Sequence, residues 1–119
     1  MLFQQNQNGV LTPMAEPNWH ARRLNREETE IIIRFLQDRV RAYNEDSFSA
    51  YNIVGEGQID WEQNDALGLI IERYPISRRG QSSVLGRLLF QALWEDQNRY
   101  LFLHERSLFR ANYQMFDGI

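Results

Sequence analysis

Arg73, Arg78 and Arg79 fall in the stretch RYPISRRGQSSV, just ahead of Ser82 and Ser83. Guanidinium groups beside serines at the start of a helix bring together planar charged donors, hydroxyls and free backbone N–H groups. That donor set suits a phosphate or a carboxylate. Arg73, Arg78, Arg79 and Ser82 therefore form a candidate anion site, against the plainer reading of a solvated loop with an ordinary serine cap. Catalytic chemistry is harder to assemble. His104 has no useful metal ligand at helical neighbour positions, and Glu16, four residues before His20, is separated from it by Pro17. No zinc-protease, nucleophile-elbow or phosphate-loop pattern occurs. The acids Glu27/Glu28 and Asp60/Glu62 sit where helix starts favour negative charge. The chain has no cysteine, which excludes disulfides, thiolate metal sites and a cysteine nucleophile. All 13 cationic residues are arginine, so Schiff-base chemistry and a phosphate-loop lysine are excluded as well. Codon bias and avoidance of lysine modification both remain open as reasons for the missing lysine. The sequence implies no catalytic residues, no metal and no cofactor.

A second group of residues points to association rather than ligand chemistry. Trp94, Tyr100, Phe102, Phe109 and Tyr113 crowd the C-terminal third, interleaved with Arg106. Tyr100 to Leu103 are four consecutive large side chains, and no single helix face holds four. On a helix at least one of them would be exposed, and exposed aromatic clusters are commonly covered by a partner. The expected interface comprises Trp94, Tyr100, Phe102, Arg106, Phe109 and Tyr113, with a protein partner or a homodimer on the other side.

The stretch NIVGEGQIDWEQ, residues 52–63, resembles an EF-hand calcium loop. It carries Gly57 at the turn and Ile59 at the apolar pin, with Glu56 and Asp60 as acids. The ligand set departs from the pattern: Asn52, Val54 and Gln63 stand where a full site needs oxygen ligands and a bidentate carboxylate. The resemblance implies a turn leading into a capped helix, without tight calcium binding.

These groups must be positioned by helices. Asn25 and Glu28 make a capping-box pair ahead of Ile32, Phe35, Leu36, Val40 and Tyr43 at helical spacing. Asp60 and Gln63 are placed to cap a second helix, with Ala66, Leu67, Ile70, Ile71 and Tyr74 on one face and Pro75 stopping it. Trp61, beside that cap, is expected to be buried. Ser82 or Ser83 would cap a third helix carrying Val84, Leu85, Leu88, Leu89, Ala92 and Leu93. A single rod from Ser83 to Tyr113 would be roughly 45 Å long, too long for a domain this size, so a break is expected near residues 96–98. A strand in FSAYNIV, residues 48–54, is the main alternative to helix.

The expected fold is all-α: a compact bundle of three to five helices in one domain, residues 19–119, preceded by an irregular arm over 1–18. With 119 residues there is enough chain for a real core. No apolar run approaches a membrane span, and the opening residues lack the pattern of a signal peptide. The net charge of −3 conceals an uneven distribution: residues 42–72 hold seven acids and no arginine. Nucleic acid is an unfavoured partner, because the chain is acidic and its aromatic and basic residues do not alternate along the sequence. Together these features point to a cytoplasmic, non-enzymatic protein-interaction module (an adaptor, inhibitor or assembly factor) acting through the aromatic-rich C-terminal helical surface and the acidic middle segment, with a small phosphate or carboxylate binder as the alternative.

Overall fold

A computed structural model describes residues 1–43, 45–55, 57–103 and 109–116. Its local signals are those of an ordinary helix-forming sequence. Helix α1 runs Arg26–Ala42 and starts with both arms of the capping box: the Asn25 side chain accepts from the Glu28 N–H, and Glu28 accepts from the Asn25 N–H. A short α2, Ala50–Val54, repeats the device with Ser49 and Asn52. Asp60 caps a single 3₁₀ turn, Trp61–Gln63, and Asn64 then caps α3, Asp65–Arg73. Helix α3 stops at Tyr74, one residue before Pro75, as the restriction on pre-proline conformation requires. Helix α4, Arg78–Glu95, is capped by Ser77; Ser82 and Ser83 lie inside it.

The expectation of an all-α bundle is overturned by a five-stranded mixed sheet. Among the described residues its strands are β1 (Leu2–Gln5), β2 (Leu11–Pro13), β3 (Ser47–Phe48), β4 (Tyr100–Leu103) and β5 (Asn112–Met115), in the order β2-β1-β4-β5-β3. The β1/β4 pair is parallel and the others antiparallel. The molecule is therefore an α/β fold. The chain does break after α4, between Glu95 and Tyr100, but it continues as strands rather than as a fourth helix. Residues 1–18 hold the β1–β2 hairpin, whose turn uses Gly9 at φ 81°, where a side chain would be strained.

The four bulky residues at 100–103 explain the error. On a strand, successive side chains alternate between faces. Tyr100 and Phe102 point toward the helices, while Leu101 and Leu103 take the other face. Phe102 packs edge-on against Phe90 of α4 and at a tilt against Tyr113 across the sheet. Phe48 meets both Tyr100 and Tyr113. These rings close one continuous core with Leu36 and Val40 of α1, Leu67 and Ile70 of α3, and Leu85, Leu88 and Leu89 of α4.

The calcium-like stretch is also resolved. Its first three positions, Asn52, Ile53 and Val54, belong to α2. The Asn52 side chain is spent on Ser49, and Asp60 accepts from the Glu62 N–H. Gly57 does form the expected turn, at φ 86°. Trp61 is buried, its indole N–H donating to the Val54 carbonyl at 2.6 Å.

Candidate anion-binding cleft

A short sequence pattern prepares the cleft between β2 and α1. Ala21 and Leu24 are buried, and the Leu24 N–H donates to the Ala21 carbonyl. With both flanking side chains turned into the core, Arg22 and Arg23 are left exposed on the turn between them. The upstream end of this segment is tied to α4, where Trp94 Nε1 donates to the Met14 carbonyl at 2.9 Å. Its downstream end is the capping box of α1.

Two further walls come from α3 and α4. Tyr74 closes α3, and its hydroxyl accepts the Arg23 N–H at 3.3 Å. Gln81 Nε2 donates to the Tyr74 carbonyl, so the α3–α4 link is held close to the start of α4. Ser83 and Arg87 are four residues apart on α4 and share one face, beside buried Val84.

The cleft is open to solvent and has a volume of about 520 Å³, the size of a small-ligand pocket. Arg22, Arg23 and Arg87 line it together with Trp19, His20 and Tyr74, and among the described residues no carboxylate lies in its wall. Two of the guanidinium groups lie over aromatic rings: Arg23 over Tyr74 at 5.5 Å and Arg87 over Trp19 at 5.3 Å. Such stacking orients a guanidinium while leaving its in-plane N–H donors free. None of the three arginines is ion-paired among the described residues. Three cations in one cavity, with no ion-pair partner or lining carboxylate among the described residues, form an arrangement suited to an oxyanion.

The residues expected to bind an anion are divided. Arg73 is committed to Glu28, with Nε and Nη2 donating to the same carboxylate oxygen at 3.0 and 2.7 Å. This hydrogen-bonded pair holds the Glu28 carboxyl below its ordinary range. Arg78 lies over the Trp61 ring at 4.7 Å and is 3.9 Å from Glu62. Arg78 and Ser82 do meet, in a smaller cavity of about 180 Å³ shared with Arg110 and Tyr51. Arg79 is exposed. The four residues therefore do not make one site.

The residues expected at an interface are largely structural. Tyr100 and Tyr113 are fully buried and offer no side-chain surface. Burial pushes the Tyr100 phenol up to about 12, and its hydroxyl donates to buried Asp96, which also pairs with Arg41. Trp94 and Phe102 are half-buried against the core, and Phe109 is half-buried edge-on to Tyr51. Arg106 and His104 lie outside the described residues.

In the sequence Arg87 carried no signal, and Arg22 and Arg23, with Arg26, carried only a weak one for nucleic acid. The available signal was WHARR, residues 19–23, where an aromatic residue precedes two arginines. Nothing local tied that run to α4. Among the described residues no helix is long and apolar enough to cross a membrane, and no group of three His, Asp or Glu side chains is placed to hold a metal ion. No protein-family model, curated protein or solved structure matches this chain.

Proposed function

We propose that this chain is a non-enzymatic binding protein for a phosphate- or carboxylate-bearing ligand, held by Arg22, Arg23 and Arg87 between Trp19 and Tyr74. One observation carries the reading: among the described residues, three arginines without ion-pair partners line one cavity whose wall contains no carboxylate. Leaving like charges close together without a counter-charge is unfavourable, and a bound anion would relieve it. The interaction-module reading draws on residues that also build the core, so the cleft is the preferred site. A cytoplasmic setting is part of the proposal, on the strength of the cysteine-free composition.

Calorimetric titration with inorganic phosphate and with simple phosphate esters tests the proposal. Binding should weaken about tenfold or more in Arg87→Ala, the loss expected for one charge-assisted contact. Because Arg87 is exposed, the melting temperature should hardly change. Unaltered affinity in Arg22→Ala, Arg23→Ala and Arg87→Ala would place the ligand elsewhere.

A further inference from the structure

We infer that the cleft is one end of a track for single-stranded nucleic acid; the inference rests on the anion-binding reading and names its ligand class. A second cavity of about 380 Å³ adjoins the first. Asn18, Trp19 and Arg87 stand in the walls of both, and the second continues to Pro17 and Phe90. Arg87 and Phe90 are three residues apart on α4 and share a face; from Ser83 to Phe90 that face runs roughly 10 Å. The walls therefore pass from Tyr74 with Arg23, through Trp19 with Arg87, to Phe90. Rings and guanidinium groups interleave along this path.

A phosphate alone needs the cations but not the rings. Tyr74, Trp19 and Phe90 are all half-buried, with part of each side chain left to solvent. A guanidinium lying over a ring extends the flat surface, and unpaired bases stack on aromatic rings and on arginine planes alike. A charged groove that follows the backbone, with flat platforms for the bases, is the general design of single-strand binders. The chain's net charge of −3 does not describe this surface. Among the described residues, the arginine-free acidic segment 42–72 contributes nothing to either wall, and neither wall holds a carboxylate.

The test uses the full chain, a labelled six-nucleotide oligouridylate followed by fluorescence anisotropy, and uridine monophosphate as competitor. The oligonucleotide should bind at least tenfold tighter than the mononucleotide. Three arginine–phosphate contacts should give a slope of about −2 for the logarithm of affinity against the logarithm of salt concentration. Trp19→Ala should weaken binding on the order of tenfold, the loss of one stacked base. Arg87→Glu should weaken it more than Arg110→Glu, which changes the net charge equally but lies in the wall of the smaller cavity. Equal affinity for mononucleotide and oligonucleotide would overturn the strand inference and leave the anion cleft standing. No binding of either, or equal losses in the two charge reversals, would overturn the strand inference; the phosphate titration above then decides the cleft separately.

Discussion

Two buried side chains mark the extremes of how this protein handles polar groups. Tyr100 is fully enclosed, yet its hydroxyl has Asp96 at 2.9 Å. Tyr113 is enclosed too, and its hydroxyl has no hydrogen-bond partner among the described residues. A buried hydroxyl without a partner keeps its desolvation cost and gains nothing for it. Tyr113→Phe should therefore be neutral or raise stability by about 1 kcal/mol in urea denaturation. Tyr100→Phe, which strips a partner from buried Asp96, should lower it. Glu28 supplies a pH-dependent element. Its hydrogen bonds to Arg73 and to the Asn25 N–H hold its carboxyl below the ordinary value of 4.5. A depressed carboxyl contributes stability above its unfolded value and loses that contribution as pH falls through the folded one. Thermal melts should thus show stability falling below about pH 4.5. Glu28→Gln should be less stable at neutral pH and lose less on acidification; parallel profiles for the two proteins would contradict this.

At the scale of elements, the distinction between local and distant interactions decides what can be read in advance. The capping box of α1 involves residues three apart, and it forms as its pattern requires. So does the end of α3 ahead of Pro75; the end of α4 before Asp96 was expected from the size of the domain and not from a local pattern. The 52–63 stretch shows the reverse case. Its resemblance to a calcium loop is carried by Gly57, which lies in a turn, and Ile59, which packs against the core, whereas Asn52 and Val54 are claimed by α2. Calcium titration by calorimetry should show no site tighter than about 10⁻⁴ M. A micromolar site would require α2 to unwind, and circular dichroism would register that as lost helix. The start of α4 was misplaced for an equally physical reason: Ser77, Ser82 and Ser83 are chemically equivalent as caps. The choice of Ser77 goes with the docking of Gln81 onto Tyr74.

For the whole molecule, the N-terminal hairpin is the sharpest test of the fold. Leu2 is 2% exposed, and β1 pairs with β4 across Leu2–Tyr100 and Phe3–Leu101. An irregular mobile arm could be removed without consequence. Here, removal of residues 1–13 would expose one edge of β4 and uncover part of the core. The truncated chain should lose cooperative melting or drop by several kcal/mol, as seen by circular dichroism and differential scanning fluorimetry. A truncated chain that melts like the full one would refute the sheet order. The approximate positions of α1, α3 and α4 and most of their core side chains were legible in the sequence by itself, because helix periodicity and capping depend on residues within a turn or so of each other. The tertiary structure alone decided that residues 100–103 are a strand, since Tyr100 finds Leu2 and Met115 as neighbours only after folding. It likewise decided that Trp19, Arg22, Arg23, Tyr74 and Arg87 share a cavity. Strand pairing and cleft formation join segments tens of residues apart, and a pattern read along the chain carries no information about which distant segment will supply the other wall.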